Sequence, residues 1–205
     1  MMNGAVCTCA YEGLPFNVEM ALRFAGCRTA DEDVRDVRAL MESCAEAALP
    51  VLSYRVCWRA VPVTLEGDRV IFPFATVEGH SLATHLNGCR GAVLFGTTVG
   101  LELDRMLFRE GLRSPARAVC LQAIGAERVE AVCDRFETEM RERYGEIRTR
   151  FSPGYGDLPL DFQRELFRVL DCSRTIGLTL NESLLMSPSK SVTAIIGVER
   201  DVGVE

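Results

Sequence analysis

The chain has 205 residues and a formal net charge of −6. Hydrophobic residues make up 48% and charged residues 25%, which is ordinary for a globular protein with one substantial core. The acidic balance argues against nucleic acid or an anionic membrane surface as a partner. No apolar run reaches the roughly 20 residues that cross a bilayer, so we expect no membrane segment.

Nine cysteines and two histidines bear on the compartment and on metal binding. The cysteine number is odd and the N-terminal segment lacks a signal-peptide pattern, so we expect reduced thiols and a cytoplasmic protein. Cys7 and Cys9 come closest to a metal-ligand spacing, but the C-x-x-C and His pairs of structural zinc sites are absent. We therefore expect no metal site. Most cysteines should pack as small hydrophobic residues, among them Cys44, Cys120 and Cys133.

The first predicted element is a helix over about residues 31–48. A T-x-x-E capping box at Thr29 to Glu32 precedes apolar residues at helical spacing, and Pro50 ends the pattern. Two β-rich runs follow, from Val51 to Val63 and from Arg69 to Phe74. Their short connection contains glycine, which predicts a hairpin.

Two prolines restrict where these strands can lie in a sheet, because proline has no N–H group to donate to a β-ladder. Pro62 and Pro73 predict that one or both strands lie at a sheet edge. Farther along, the pattern predicts a short helix over 80–87 and a buried strand over 92–100, which ends in glycine.

The middle of the chain is helical. A helix is predicted over 101–113, and Ser114-Pro115 begins a long helix that runs to about Arg143. Glu130 lies beside the apolar stripe of this long helix. A solvated Glu in an Arg- and Glu-rich helix is one interpretation of Glu130, and a ligand contact is the other.

The last third is predicted to contain strands over 146–151, 176–180 and 191–199, with a short helix over 161–170. Strands on both sides of a helical middle, without regular βαβ repetition, indicate the α+β class with a mainly antiparallel sheet. No repeat or linker is visible, so we expect a single domain over residues 1–205.

The segment Arg150 to Pro159 combines a fixed charge, two turn-forming residues and an aromatic ring. Arg150 offers a planar fork of donors for a carboxylate or phosphate. Pro153-Gly154 is a turn signal, in which glycine permits a positive φ or close approach of a ligand to the backbone. Tyr155 adds a flat face and a hydroxyl. The alternative is an ordinary strand end followed by a turn.

The surrounding pattern is more specific. It consists of Arg150-x-x-x-Gly154-Tyr155-x-x-x-Pro159, then Gln163, then the run Ile176 to Ser183, and finally Met186-x-Pro188-x-x-Ser191. In order and spacing, it resembles the reactivation domain of cobalamin-dependent methionine synthase over about fifty residues. Upstream, Val99 to Asp104 and Arg128 to Ala131 are similar to the same family.

The resemblance implies a helmet- or C-shaped α+β domain with a twisted, mainly antiparallel sheet and flanking helices. It also implies binding of S-adenosylmethionine and reductive remethylation of cob(II)alamin, with an electron from a flavodoxin-like donor. Nothing in the sequence resembles the family's homocysteine, folate or cobalamin-carrying domains. We therefore expect a stand-alone reactivation subunit that acts on cobalamin carried by a partner methionine synthase.

The resemblance also suggests roles for individual residues. Arg150 would hold the ligand's carboxylate, and Glu130 would take its ammonium group or favour the cationic ligand. Gly154 and Pro159 would shape the turn against the ligand, and Tyr155 would pack on the ligand or face the corrin. No catalytic acid or base is expected, because methyl transfer from sulfur to cobalt moves no proton.

The chain departs from the family at its acidic ligand contacts. The contact a few residues before Arg150 has only Glu146 as a candidate. The early acidic contact cannot be assigned, because Asp31, Glu32 and Asp33 lie in an apparently solvent-facing helix start. Two other functions stay open at this point: service to another corrinoid methyltransferase, and a non-catalytic S-adenosylmethionine sensor or assembly protein.

Overall fold

A five-stranded sheet with helices on both faces forms the centre of the structure, a computed structural model that describes residues 5–27 and 34–202. The strands are β1 (Cys7–Tyr11), β2 (Tyr54–Pro62), β3 (Thr64–Glu66), β4 (Arg69–Phe72), β5 (Ala75–Glu78), β6 (Gly91–Thr98), β7 (Ile147–Phe151), β8 (Thr179–Leu180), β9 (Met186–Ser187) and β10 (Ser191–Val198). The helices are α1 (Val18–Phe24), α2 (Val34–Ala48), α3 (His80–His85), α4 (Glu102–Gly111), α5 (Pro115–Tyr144), α6 (Gln163–Leu170) and α7 (Cys172–Ile176).

The central sheet has the strand order β1-β2-β6-β10-β7, and every neighbouring pair is antiparallel. Strands β3, β4 and β5 form a second small antiparallel sheet, and β8 pairs with β9. The predicted α+β class, with a mainly antiparallel sheet and flanking helices, is confirmed.

Each face of the central sheet has its own hydrophobic core. Helices α1, α2, α4 and α5 cover one face, where the tilted rings of Phe95 and Phe136 pack with their centroids 4.9 Å apart. Helices α3, α6 and α7 and the small sheet cover the other face, around Leu94 and Leu166. Strand β6 is buried along its whole length, because both of its faces are covered.

Helix α5 closely follows its prediction. Ser114 caps its first turn by accepting a hydrogen bond from the Arg117 amide at 3.4 Å, and Pro115 occupies the first helical position. Gly145, with φ at +78°, ends the helix. Cys120 and Cys133 are buried on its apolar face, as their place on the stripe predicts.

A hairpin ends at the predicted second strand, but its first strand is β3, and two residues of β3, Leu65 and Glu66, were predicted to lie in the loop. The hairpin joins β3 to β4 through Gly67-Asp68, whereas β2 belongs to the central sheet and stops at Pro62. The edge prediction is wrong for both strands, because β2 lies between β1 and β6 and β4 lies between β3 and β5. Proline is tolerated in β2 because the β1 ladder extends only to Trp58, so Pro62 has a ladder partner on one side alone.

The predicted strand over 176–180 is mostly wrong. Residues Cys172–Ile176 form helix α7, and only Thr179–Leu180 are extended. Gly177, in the left-handed region at φ +71°, separates the two. The apolar pattern comes from packing of Ile176 and Leu178 into the core and not from a continuous ladder.

The other predicted elements are confirmed within a few residues, apart from the first helix, which is described only in part. Its capping box lies outside the described residues, and α2 is described from Val34; beyond Ala48 the chain continues as a single 3-10 turn that contains Pro50. Strands β1, β5 and β9 and helix α1 were not predicted. Helix α1 did carry a signal, because Asn17 caps it by accepting from the Met20 amide at 3.1 Å.

Candidate functional site

A bulge in the edge strand β7 directs Arg150 toward helix α5. Ile147 pairs with Val198 and Arg150 pairs with Ile196, so β7 advances three residues where β10 advances two. In a regular strand, residues three apart face opposite sides of the sheet. The extra residue puts Ile147 and Arg150 on the same side, the face that α5 covers.

Three carboxylates of α5 receive the Arg150 guanidinium. Its Nη1 donates to Asp134 Oδ1 at 2.9 Å and to Glu137 Oε1 at 2.5 Å, and its Nη2 donates to Glu130 Oε2. The acidic residues are spaced i, i+4 and i+7, so they lie on one face of the helix. We call Arg150, Glu130, Asp134 and Glu137 the Arg150 cluster.

The Arg150 cluster has an excess of negative charge and access to solvent. One guanidinium faces three carboxylates, which is a formal balance of −2. The exposed fraction of the side chain is 23% for Arg150 and 63% for Asp134. Burial disfavours the charged guanidinium, but its hydrogen bonds to the Glu137 and Glu130 carboxylates outweigh that effect and raise the pKa of Arg150. Arg150 is therefore always cationic.

The segment Ser152 to Pro159, which we call the Tyr155 turn, follows directly on β7. Gly154 lies at φ +92° and its amide donates to the Leu158 carbonyl at 2.9 Å, while a Cβ there would approach Leu160 to 3.4 Å. Glycine suits this position because of its positive φ. Tyr155 is 61% exposed, and its ring meets Phe151 edge-on at 6.2 Å.

Asp157 fastens the Tyr155 turn to the start of helix α3. Its carboxylate accepts hydrogen bonds from the His80 amide at 2.7 Å and the Ser81 amide at 3.1 Å. Burial acts against ionisation, but the hydrogen bonds from Ser81 and His80 together outweigh it and lower the pKa of Asp157 below its usual range. The Tyr155 turn is therefore attached to α3, which lies on the face of the sheet away from α5.

The predicted site residues divide into three places. Arg150 and Glu130 contact each other directly. Gly154, Tyr155 and Pro159 share the turn that follows β7, and Pro159 precedes its closing 3-10 turn. Glu146 is exposed before the other end of β7, about 13 Å from Arg150 along an extended strand, and is not part of the Arg150 cluster.

Other sequence expectations bear on the site less directly. Asp31, Glu32 and Asp33 lie outside the described residues. Within the described part of the chain, no group of three or more His, Cys, Asp or Glu side chains is arranged to hold a metal ion. The same part contains no helix that is both long and apolar enough to cross a bilayer.

A second arginine cluster on α5 is closed to solvent. Arg128 is fully buried, and its Nε donates to Glu127 at 2.5 Å, while its Nη atoms donate to the carbonyls of Leu14 and Pro15. Glu127 also accepts from the Asn17 amide at 3.1 Å. We call Arg128 and Glu127, with these backbone partners, the Arg128 cluster. It fastens the segment before α1 to α5.

The sequence prediction missed Asp134, Glu137 and Asp157. The first two were detectable, because they continue from Glu130 at helical spacing along a helix that was correctly predicted. The role of Asp157 depends on contact with residues more than seventy positions away, and no local pattern shows that contact.

Comparison with known proteins shows what part of the chain is similar to. Residues 122–202 match the family model described as vitamin B12 dependent methionine synthase, activation domain. This stretch includes the whole Arg150 cluster and the Tyr155 turn. The predicted resemblance to this domain is confirmed.

A solved structure shows the same fold over the whole chain. The crystal structure of the MetH reactivation domain bound to AdoHcy superposes with a TM-score of 0.74 at 14% sequence identity. The match covers 100% of this chain and 81% of the other. No curated protein matches the chain significantly.

Proposed function

We propose that this chain binds S-adenosylmethionine at the Arg150 cluster and the Tyr155 turn. In this proposal it serves as a reactivation subunit for reductive remethylation of cob(II)alamin carried by a partner, a cobalamin-dependent methionine synthase. The main support for this proposal is the Arg150 cluster, which is partly open to solvent and has a net negative charge. The cluster lies inside the stretch that matches the activation domain. The AdoHcy bound to the structurally similar MetH domain supports this ligand class.

The charge of S-adenosylmethionine suits the Arg150 cluster. The ligand carries a sulfonium, an ammonium and a carboxylate, so its net charge is +1, opposite in sign to the cluster. Three of the five N–H groups of Arg150 donate to carboxylates in the described contacts, which leaves Nε–H and one Nη2–H for a ligand carboxylate. The α5 carboxylates favour the cationic groups.

The Tyr155 turn would supply the second wall of the site. Tyr155 exposes an aromatic face beside Gly154, which is itself exposed and has no side chain to cover its backbone. An adenine or a corrin ring can pack on such a face. The Asp157 contacts with α3 hold the turn in place before any ligand arrives, which lowers the ordering cost of binding.

The chemistry asks only for positioning from this chain. When bound, S-adenosylmethionine supplies the methyl group, and the partner's cobalamin receives it after reduction by a flavodoxin-like electron donor. Methyl transfer moves no proton, so no acid or base is needed, and none is assigned among the site residues. Arg150 and the α5 carboxylates would hold the amino acid end of the ligand, and correct placement of two reactants contributes several kcal/mol in favourable cases.

Calorimetric titration of the purified chain with S-adenosylmethionine tests the binding step. Saturable binding with a 1:1 stoichiometry is the expected result, and absence of binding would overturn the proposal. The second step is tested by single-turnover remethylation of a cob(II)alamin-loaded methionine synthase fragment without its own activation domain. Binding without remethylation would remove the assigned partner and leave an S-adenosylmethionine-binding protein of another role.

A further inference from the structure

Two buried thiols meet on the face of the central sheet opposite α5. In the sheet register, Cys57 of β2 lies beside Gly96 of β6, and Gly96 lies beside Thr193 of β10. These three positions form a row across the sheet. Because Gly96 has no side chain, the row has a gap at its centre.

Cys172 of helix α7 fills that gap. Its Sγ lies 3.1 Å from where a Cβ of residue 96 would stand, and it contacts Cys57 Sγ at 3.8 Å. Both cysteines have no exposed surface. The methyl group of Thr193 lines the other side of the gap, 3.7 Å from the same Cβ position.

The two thiols differ in acidity. A hydrogen bond from Cys172 lowers the pKa of the Cys57 thiol, against the opposing effect of burial, and the Thr175 hydroxyl acts in the same direction. The same hydrogen bond and burial raise the pKa of Cys172. Cys57 is therefore the better nucleophile of the pair, and Cys172 stays protonated beside it.

Helix α7 can open without the sheet. It is five residues long, and left-handed residues bracket it, Asp171 at φ +47° and Gly177 at φ +71°. Its outer residues Ser173 and Arg174 are exposed. Short elements with exposed hydrogen bonds open locally at lower free energy than the core, and such an opening exposes both sulfurs.

We propose that Cys57 and Cys172 are a modification site, a dithiol that a hydroperoxide converts to an intramolecular disulfide between β2 and α7. The Cys57 thiolate attacks the peroxide oxygen and becomes a sulfenic acid, while the hydroperoxide leaves as an alcohol, or as water from hydrogen peroxide. The Cys172 sulfur then displaces hydroxide from the sulfenic acid, and the thiol proton leaves with it as water. Two thiols are oxidised and one peroxide is reduced.

The geometry requires only a small movement. The two sulfurs must approach from 3.8 Å to about 2 Å, and α7 carries one of them on a short, bracketed segment. The product closes a loop of more than one hundred residues. Such a bond constrains the unfolded chain strongly, so the oxidised protein should melt several degrees higher than the reduced protein.

Peptide mapping of the intact chain tests the inference. Reduced protein is exposed to hydrogen peroxide, blocked with N-ethylmaleimide and digested without reductant. We expect a mass loss of about 2 Da, a linked peptide pair that contains Cys57 and Cys172, and reversal by a thiol reductant. Disulfides only among other cysteines, or sulfinic acid at Cys57 without a bond, would overturn the proposal.

Matched variants separate this pair from the other thiols. Cys44 and Cys120 also contact each other in the core, but burial raises the pKa of both, to about 11 for Cys120. Cys120→Ser should therefore retain the Cys57–Cys172 bond, and its loss in that variant would contradict the assignment. Cys172→Ser should abolish the bond and the gain in melting temperature.

Gly96→Ala tests the gap itself. The new methyl group would press on Cys172 Sγ and move it from Cys57. Formation of the disulfide should slow at least fivefold in this variant, measured against wild type by the same peptide mapping with circular dichroism to check the fold. An unchanged rate would contradict the role of the gap.

Discussion

The two arginine clusters of helix α5 share a chemistry but differ in access and in charge balance. The Arg128 cluster pairs one guanidinium with one carboxylate, and backbone carbonyls take the remaining donors out of solvent. The Arg150 cluster pairs one guanidinium with three carboxylates at a partly exposed position. The donors of Arg128 are therefore satisfied within the protein. The Arg150 cluster retains a net negative charge and two N–H groups that a ligand could use.

We propose that this difference separates a structural role of arginine from a ligand-binding role. A buried charge that loses its partner destabilises the folded state, so disruption of the Arg128 cluster should lower the free energy of unfolding strongly. The Arg150 cluster is only partly exposed, since Asp134 is open to water and Glu137 is buried. Water screens it in part, so it should contribute less to folding, and its unbalanced charge attracts ligands of opposite charge. The predictions below test this separation, from the largest expected effect to the smallest.

Arg128→Met should destabilise the protein by about 3–5 kcal/mol, because it leaves the buried Glu127 carboxylate without its partner. Urea unfolding followed by circular dichroism measures the change. Arg150→Met is the matched variant, with a smaller expected loss of about 1–2 kcal/mol, because its carboxylate partners Glu130 and Asp134 are partly solvated. Equal losses in the two variants would remove the distinction between a closed and an open cluster.

Glu130→Gln should reduce the affinity for S-adenosylmethionine about five- to tenfold more than the affinity for AdoHcy, because AdoHcy lacks the sulfonium charge. The readout is the ratio of the two dissociation constants, measured by calorimetry. Glu139→Gln is the control, since Glu139 lies on the same helix but accepts from Tyr11 at 2.8 Å outside the cluster. An equal ratio in wild type and Glu130→Gln would show that the cluster does not sense the cationic sulfur.

Tyr155→Ala should weaken S-adenosylmethionine binding about threefold or slow remethylation by a similar factor, because an aromatic packing surface is lost. Tyr155→Phe should retain both properties. The exposed ring contributes little to the fold, so the melting temperature should be unchanged in either variant. An Ala variant with wild-type binding and wild-type remethylation would exclude Tyr155 from the site.

Substitution of Asp157 should have the smallest effect of the four changes, and its effect on the melting temperature should depend on pH. Its folded-state pKa is lowered, so its contribution to stability is present above the ordinary pKa near 3.8 and is lost as pH falls through the lower folded-state value. Asp157→Asn should lower the melting temperature by a few degrees at pH 7 and by less below pH 3. A constant difference across this range would contradict an ionised cap on α3.

Much of the fold could be predicted because the signals were local. The Ser114-Pro115 start and the glycine end of α5 specify the longest helix, and the buried apolar run of β6 specifies the central strand. Strand β1 was not predicted, since its alternation of small, polar and thiol side chains resembles a loop. Helix α7 was not predicted, because the packing of Cys172 and Ile176 into the core decides its form.

The site was predictable to a lesser extent. Arg150, Gly154 and Tyr155 were found through a pattern of unlike residues in fixed order, and Glu130 through its place beside an apolar stripe. The β7 bulge was not visible, because it depends on pairing with β10. Burial of Arg128 was not visible either, because its partners Leu14 and Pro15 lie more than one hundred residues away.

One measurement tests the central claim most directly: calorimetric titration of wild type, Arg150→Met and Arg128→Met with S-adenosylmethionine, each at a temperature where the protein is folded. The account predicts saturable binding to wild type, a loss of tenfold or more in Arg150→Met, and a change below twofold in Arg128→Met. Wild-type affinity in Arg150→Met would contradict the assignment of the open cluster as the binding site.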